Sequence, residues 1–202
     1  MGLGLCSNLT SIRFLRLLLP SMLRKWNNPP MSEKIRMGMV GGGPGAFIGA
    51  VHRIALRMDD HFDLVAGAFS SDAEKSAETG RELGLDPTRA YASWQAMADG
   101  ESALPEDQRI QAVSIVTPNH VHHGPAVEFL NRGFHVICDK PLTISGELAH
   151  DLVKTVDQSG RIFALTHNYT GYPMIREARE LVQSGALGKV LKVYAEYLQG
   201  WL

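Results

Sequence analysis

Residues 36–52 read Arg-Met-Gly-Met-Val-Gly-Gly-Gly-Pro-Gly-Ala-Phe-Ile-Gly-Ala-Val-His, and this stretch decides how the rest of the chain is interpreted. A short apolar run from Met37 to Val40 ends in glycines, and a helix-compatible apolar run follows from Ala46 to Leu56. A strand that turns on glycines into a helix presents main-chain N–H groups at the positive end of that helix, where a pyrophosphate binds. In a doubly wound sheet, the first such turn holds a dinucleotide. The stretch therefore predicts the first β-α unit of a dinucleotide-binding domain.

The glycines fit the dinucleotide fingerprint in two registers. One register takes Gly41, Gly43 and Ala46, and the other takes Gly41, Gly43 and Gly49 with an insertion in the turn. An ordinary βα turn that holds no ligand is the alternative interpretation. The residues that we expect to contact the cofactor here are Gly41, Gly43, Gly45, Ala46, Phe47 and Ile48.

The composition is that of an ordinary soluble globular protein, with 45% hydrophobic and 20% charged residues in a chain of 202 residues. Residues 1–30 carry four basic and no acidic side chains, which leaves 16 basic against 21 acidic residues in the remainder. A mildly acidic body without a basic stripe argues against a nucleic-acid partner. Two cysteines, Cys6 and Cys138, form neither a disulfide framework nor a zinc pattern, which fits a cytoplasmic location.

Residues 1–30 differ from the rest of the chain and are expected to be disordered. The basic, apolar run from Ile12 to Leu19 is too short and too interrupted by Pro20 to span a bilayer, so no membrane partner is expected. An arginine-rich leader without acidic residues is typical of an organellar presequence. The alternative, which we favour, is that the functional chain begins at Met31.

From Met37 onward, strand-like and helix-like segments alternate. The predicted strands are 37–40, 62–69, 110–116, 134–138 and 161–165, and the predicted helices are 46–56, 72–83, 91–97, 121–131 and 145–159. Residues 99–108, with Gly100 and Pro105, are predicted to form a surface loop. This alternation predicts an α/β fold with a doubly wound, mostly parallel sheet over residues 31–168.

A second domain is predicted to begin at residues 169–202. A helix is expected from Pro173 to about Ser184, a turn at Gly185 and Gly188, and a strand from Lys189 to Leu198. That strand has no partner, and an unpaired strand is an unlikely end for a finished fold. We therefore interpret this segment as the incomplete start of a second α/β domain.

Ligands of an open α/β sheet bind beyond the carboxyl ends of its strands, so the residues that follow each strand are candidates for a site. After the second strand come Phe69, Ser70, Ser71 and Asp72. A carboxylate at the strand end binds the adenosine ribose in many NAD sites, but Phe69 and Ser70 hold that place here. The two serine hydroxyls suit either a ribose or a 2′-phosphate, which leaves the choice between NAD and NADP open.

The third strand is followed by Thr117, Pro118 and Asn119, which offer polar groups towards a cofactor and a start for the next helix. His120, His122 and His123 come next and raise the question of a metal site. Since His120 and His122 lie on opposite sides of a helix, they do not converge on one ion, and no metal is expected. Contacts with the helix start or with the cofactor are the preferred interpretation.

Two more strand ends supply candidates. Asp139 and Lys140 follow the fourth strand, and a lysine near a nicotinamide orients a substrate hydroxyl or shares its proton. A surface lysine beside Pro141 is the alternative. The polar run after the fifth strand includes Asn168, a further candidate for cofactor contact, although a polar loop covering the sheet edge explains the run equally well.

These motifs together resemble the Gfo/Idh/MocA oxidoreductase family over residues 35–202. The matching segments are the glycine turn at 41–49, Thr117-Pro118-Asn119 with His122, Asp139-Lys140-Pro141-Leu142, and Gly185-Ala186-Leu187-Gly188-Lys189-Val190. The resemblance implies a Rossmann domain followed by an α/β domain with an open sheet that forms the substrate cleft and the interface of a homo-oligomer. The lysine of the family's Glu-Lys-Pro motif maps to Lys140, and Asp139 replaces the usual glutamate.

The resemblance also implies an enzyme that transfers a hydride between NAD or NADP and a sugar, inositol or related polyol, with Lys140 as a catalytic residue. The family's other catalytic groups, an aspartate and a histidine of the second domain, would lie beyond Leu202, so a chain of this length is expected to turn over little. Two alternatives stay open. One is a non-catalytic dinucleotide-binding module, and the other is a glycosidase that uses bound NAD in a transient oxidation.

Overall fold

The computed structural model of the chain describes residues 34–200, and the predicted leader at residues 1–30 lies outside the described residues. Five parallel strands form a sheet in the order β2-β1-β3-β4-β5. The strands are β1 Ile35–Gly41, β2 Phe62–Ala68, β3 Ala112–Val116, β4 His135–Cys138 and β5 Phe163–Leu165. The helices are α1 Phe47–Met58, α2 Ala73–Glu82, α3 Trp94–Ala103, α4 His123–Asn131, α5 Gly146–Ser159 and α6 Pro173–Gln183. The predicted α/β fold with a doubly wound parallel sheet is confirmed.

The strand order creates a crevice at one edge of the sheet. Strand β1 lies between β2 and β3, so the chain leaves β1 towards one side and later returns to its other side. Gly41 at the end of β1 pairs with Val116 at the end of β3. In doubly wound sheets, ligands bind where the strand order reverses in this way, beyond the carboxyl ends of the strands.

Apolar side chains cover both faces of the sheet. Successive residues of a strand point to opposite faces, so Met39 packs on the face of Leu56 in α1, whereas Val40 joins Phe129 of α4 on the other face. All residues of β3 are buried, as expected of a central parallel strand covered on both sides. The core therefore fixes the strands, and with them the turns at their carboxyl ends.

One predicted helix and the loop after it were wrong in their bounds. The helix begins at Trp94 rather than Tyr91, because the Ser93 hydroxyl caps it by accepting a hydrogen bond from the Ala96 N–H at 3.1 Å. It continues to Ala103 through part of the predicted surface loop. Glu101 is fully buried there, with hydrogen bonds from Arg89, from the Tyr91 hydroxyl and from the Ile110 N–H. Sequence spacing gave no sign of this long-range network.

The segment after α6 differs from its prediction as well. The helix from Pro173 is confirmed and ends at Gln183, but residues 189–198 form no strand in the described chain. A strand needs a neighbour that offers N–H and C=O groups, and no such neighbour lies beside this segment within residues 34–200. Whether residues 169–202 open a second domain stays a prediction. None of the helices described is long and apolar enough to cross a membrane.

Candidate functional site

Close approaches of the main chain explain the glycines of the β1–α1 turn. A Cβ atom on Gly43 would lie 2.7 Å from the carbonyl oxygen of Phe69, and a Cβ atom on Gly49 would overlap the Cα of Gly42. The third glycine of the fingerprint serves close packing of helix against strand, and Gly49 has that role here. The fingerprint register that ends at Gly49 therefore names the glycine at which α1 packs closely against the turn, whereas Ala46 is the N-cap of α1.

The amide donors of the turn are concentrated at the start of α1. The Gly43 N–H donates to the Phe69 carbonyl at 3.1 Å, and the Ala46 N–H donates to the Gly43 carbonyl at 3.0 Å. The first N–H groups of a helix have no partner within the helix, and the N-cap residue Ala46 has no side chain that accepts them. Side chains of Asp72, Ser93 and Ser145 cap α2, α3 and α5, whereas α4 and α6, like α1, begin without a side-chain cap. Because α1 follows the glycine turn beside the cleft, the N–H groups at its start suit a bound pyrophosphate.

A cavity of about 740 Å³ lies along the carboxyl edge beside this turn, and we call it the cleft. Seven of the predicted site residues line it, namely Gly41, Gly43, Ala46, Ser70, Ser71, Thr117 and Pro118. It is also lined by Lys75 and Trp94, which the sequence did not single out, and by His120, one of the histidines for which contact with the helix start or the cofactor was predicted. Gly45 and Phe47 line a second hollow of about 340 Å³.

The other six predicted residues line neither hollow. They are Ile48, Asn119, His122, Asp139, Lys140 and Asn168. Ile48 packs against the apolar core that contains Leu56. Asn168 begins a 3-10 turn and its amide approaches the Tyr172 hydroxyl at 3.5 Å. Their contacts with a cofactor stay predictions.

At the end of β2, the one nearby carboxylate is already engaged. The Asp72 side chain accepts hydrogen bonds from the N–H groups of Glu74 and Lys75, as expected for the cap of α2. Ser70 accepts from the Asp72 N–H at 3.1 Å, and Ser71 is exposed at the cleft. The residues present at this end are therefore hydroxyls and the ammonium of Lys75 rather than a free carboxylate.

Thr117 carries the clearest sign of a missing partner. Its hydroxyl is buried, and no group among the described residues forms a hydrogen bond with it. Buried hydroxyls are almost always satisfied, so an unpaired one at a cleft fits a ligand that supplies the partner. Together with the start of α1, Thr117 shows that the residues of the cleft suit a dinucleotide.

His120, His122 and His123 lie in three different environments. His120 is exposed at the cleft, His122 is fully buried, and the His123 ring contacts Asp151 of α5 at 2.9 Å. Within residues 34–200, no group of three or more potential ligands surrounds a metal position. The helix predicted from Val121 starts as a 3-10 turn at Asn119–Val121 and becomes α-helical at His123.

Lys140 follows β4, two strands away from the glycine turn in the sheet. Since β1, β3 and β4 are parallel, Lys140 and the glycine turn lie at the same edge. The Lys140 side chain is exposed, whereas the preceding Asp139 is partly buried and accepts a hydrogen bond from the Thr166 hydroxyl at 2.6 Å. The structure thus brings the predicted catalytic lysine to the edge that carries the cleft.

A buried polar chain behind this edge was missed by the sequence patterns. The His52 ring on α1 bonds the Ser114 hydroxyl at 2.8 Å and lies 3.8 Å from the Asp139 carboxylate. Burial lowers the pKa of His52, and the nearby Asp139 charge opposes that shift. A lone histidine at position i+3 from Gly49 signals at most a shared helix face, so only the three-dimensional structure reveals these partners.

Cys138, the residue before Asp139, is not a nucleophile at neutral pH. The thiol is fully buried, and burial together with the Asp139 charge raises its pKa to about 12. Because the thiolate is the reactive form, the thiol stays inert.

Comparisons with known proteins agree with the geometry. Residues 35–167 match the family model described as an oxidoreductase family with an NAD-binding Rossmann fold. The chain is 36% identical over 172 residues to the uncharacterized oxidoreductase YfiI of Bacillus subtilis, covering 85% of this chain and 43% of that protein. It is 30% identical over 169 residues to the levoglucosan dehydrogenase of Pseudarthrobacter phenanthrenivorans, covering 84% of this chain and 42% of that protein.

A solved structure shows the same architecture. An inositol dehydrogenase homolog from Azotobacter vinelandii, complexed with NADH and myo-inositol, superposes with a TM-score of 0.74 at 38% identity, over 79% of this chain and 41% of that one. The chain spans less than half the length of each of these relatives. With the glycine turn, the cleft and the lysine turn at one sheet edge, the chain belongs to the Gfo/Idh/MocA family of NAD-binding Rossmann oxidoreductases.

Proposed function

We propose that the complete protein transfers a hydride between a nicotinamide dinucleotide and a sugar, inositol or related polyol. The observation that carries the proposal is the position of Lys140 at the same carboxyl edge as the glycine turn and the cleft. The structure with NADH and myo-inositol and the levoglucosan dehydrogenase support the class of substrate.

Different residues of this chain bind the cofactor and the substrate in the proposed reaction. The amides at the start of α1 and the Thr117 hydroxyl hold the dinucleotide, because among the described residues no side chain caps that helix and no group forms a hydrogen bond with that hydroxyl. Lys140 binds the reacting hydroxyl of the substrate and shares its proton, because its exposed side chain lies at the carboxyl edge of the sheet that also carries the cleft. When bound, the nicotinamide supplies the position that accepts or gives the hydride.

At the adenosine end, the proposal includes both NAD and NADP. The Ser70 and Ser71 hydroxyls and the Lys75 ammonium suit the extra phosphate of NADP, because they line the cleft and donate hydrogen bonds. The Lys75 ammonium also lies 3.8 Å from the Asp72 carboxylate in the cap of α2. The relative with NADH in its crystal supports NAD. Titration of both reduced dinucleotides into the complete protein, followed by nicotinamide fluorescence, measures the preference as a ratio of dissociation constants.

The function is tested with the complete protein and two candidate substrates, myo-inositol and levoglucosan. We expect production of NADH or NADPH with at least one of them. Lys140→Ala should lower kcat by about 10²- to 10⁴-fold, the usual contribution of a proton-transferring side chain, with the dinucleotide Kd nearly unchanged. Lys154→Ala, at an exposed lysine on α5, is the matched control and should leave kcat unchanged.

Four outcomes contradict the proposal or parts of it. An absence of dinucleotide binding would end it altogether. Binding without oxidation of any polyol would favour a dinucleotide-binding module, and hydrolysis of a glycoside without net reduction would favour the glycosidase chemistry. Unchanged turnover of Lys140→Ala would remove Lys140 from the mechanism.

A further inference from the structure

Lys140 lies between two residues that side chains from other parts of the fold hold in place. Before it, the Asp139 carboxylate accepts a hydrogen bond from the Thr166 hydroxyl, at the end of β5, over 2.6 Å. After it, the carbonyl oxygen of Pro141 lies 2.7 Å from Nδ1 of His122. Hydrogen bonds therefore hold the residues on both sides of Lys140, while the Lys140 side chain itself is exposed and can reach a substrate.

His122 reaches a second turn as well. Its other ring nitrogen, Nε2, lies 3.0 Å from the carbonyl oxygen of Thr117, which is a residue of the cleft. A carbonyl oxygen only accepts hydrogen bonds, so a ring nitrogen that carries a proton donates to the carbonyl that it faces. The ring is fully buried, with 0% of its surface exposed, and it does not line the cleft. It therefore stands behind the site and joins the turns after β3 and β4.

We propose that His122 is a positioning residue for Lys140, which it holds at a fixed place relative to Thr117 and hence to the bound dinucleotide. The inference rests on the proposed function, since it gives His122 a role through Lys140. It also moves His122 from the expected cofactor contacts to the layer beneath them. Thr166 is the second anchor, because it holds the residue on the other side of Lys140.

The expected effect follows from the precision that proton transfer requires. Without the ring, the Pro141 carbonyl loses its hydrogen-bond partner, and a displacement of about 1 Å in the turn with Lys140 can lower turnover by about 10²-fold. The dinucleotide makes its main contacts elsewhere, at the start of α1 and at Thr117. His122→Ala should thus lower kcat far more than it weakens dinucleotide binding.

A double-mutant cycle separates this role from a general loss of structure. The complete protein is compared as wild type, His122→Ala, Lys140→Ala and the double variant, with kcat and dinucleotide Kd measured for each. We expect His122→Ala to lower kcat by about 10- to 100-fold in the wild type but by less than about 3-fold once Lys140 is absent. Equal losses in both backgrounds would overturn the inference. His123→Ala, which alters the neighbouring histidine with its contact to Asp151, is the matched control and should show no loss in either.

A second measurement needs no substrate. Acetylation of the Lys140 amine by acetic anhydride, followed by mass spectrometry, is compared with and without NADH. In the wild type we expect NADH to slow the reaction, and in folded His122→Ala we expect this protection to shrink. Failure of NADH to bind the wild type would refute the proposed function, whereas equal protection in the wild type and in His122→Ala would refute the positioning role alone.

Removal of a buried ring can also prevent folding, so a second variant tests the same idea from the other anchor. Thr166→Val keeps the shape and removes the hydroxyl that holds Asp139. Thr155→Val removes a hydroxyl of the same kind, which donates to the Asp151 carbonyl within α5, and serves as its control. Lowered kcat and weaker NADH protection of Lys140 in Thr166→Val alone would support the inference, and identical behaviour of the two valine variants would overturn it.

Discussion

Thr117 is a predicted cofactor contact whose hydrogen bonding is incomplete within the described residues. Its buried hydroxyl has no partner among the described residues, so Thr117→Val should stabilise the empty protein slightly and weaken dinucleotide binding. A lost hydrogen bond to a ligand is worth about 0.5–1.5 kcal/mol, which corresponds to an increase in Kd of about 2- to 10-fold. Urea unfolding measures the first effect and NADH titration the second. Tighter binding by the valine variant would exclude a contact between this hydroxyl and the cofactor.

The sequence predicted which residues lie at the carboxyl edge of the sheet, but it did not predict the contacts that each side chain makes. Thr117 and Lys140 were identified because they follow strands, and parallel strands bring their carboxyl ends to one edge. The burial of His122 and the partners of His52 depend on contacts between residues far apart in the chain. Neighbouring residues along the sequence carry no signal for such contacts.

Helix α1 depends on close approach at Gly49. A Cβ atom there would overlap the Cα of Gly42, so Gly49→Ala should push the helix away from the turn. Overpacking of this kind typically costs about 1–3 kcal/mol of unfolding free energy, and the displaced amides should weaken dinucleotide binding as well. Gly146→Ala at the start of α5 is the control, because nothing lies within 4 Å of its added Cβ atom. Equal stability and affinity of the two alanine variants would contradict the packing role.

Helix α2 is capped by Asp72, the carboxylate that follows Ser70 and Ser71 after β2. Asp72→Ala should lower the unfolding free energy by about 1 kcal/mol and leave the Kd for NADH nearly unchanged. The measurement pairs urea unfolding with NADH titration. Asp86→Ala, which uncaps the 3-10 turn at Pro87–Arg89, is the control for a lost cap remote from the cleft. A large loss of NADH affinity in Asp72→Ala alone would assign the carboxylate to the ribose instead.

Local sequence patterns predicted most of the helices and strands correctly. The helices predicted at 72–83 and 145–159 are present, with Asp72 and Ser145 capping their starts, and apolar runs mark every strand of the sheet. The bounds of α3 were wrong because Gly100 suggested a loop, whereas a buried carboxylate at Glu101 holds the helix together over long range. The strand expected at residues 189–198 was wrong because pairing, rather than hydrophobicity alone, makes a strand.

The pH dependence of stability is a property of the whole molecule to which His52 contributes. Because burial lowers the pKa of His52 in the folded state, the unfolded chain binds a proton more readily. The unfolding free energy should therefore fall as the pH drops below the ordinary histidine value of 6.5, by at most about 1.4 kcal/mol per pH unit for one proton. The neighbouring charge of Asp139 makes the dependence shallower.

Urea unfolding between pH 8 and about pH 5 measures this contribution. His52→Gln should show a weaker decline towards acid than the wild type, because the titrating group is gone. His61→Gln, at an exposed histidine between α1 and β2, is the control and should follow the wild type. A decline in His52→Gln as steep as in the wild type would show that other groups govern the acid response.

Strand order is the feature that organises the whole molecule. Alternation of strands and helices predicted a doubly wound sheet, and the order β2-β1-β3-β4-β5 then determines which turns meet. The relatives are more than twice as long as the region of the chain that matches them.

The bare beginning of α1 has a consequence for the lifetime of the protein. Ala46 supplies no acceptor for the first amides of that helix, whereas serine or aspartate does so for three others. The diphosphate of a bound dinucleotide would accept hydrogen bonds from these amides and so stabilise the first turn of the helix. Protease digestion should then cut the vacant protein sooner than the occupied one, and first near the glycines. Supply of the dinucleotide would in this way govern how long each copy survives.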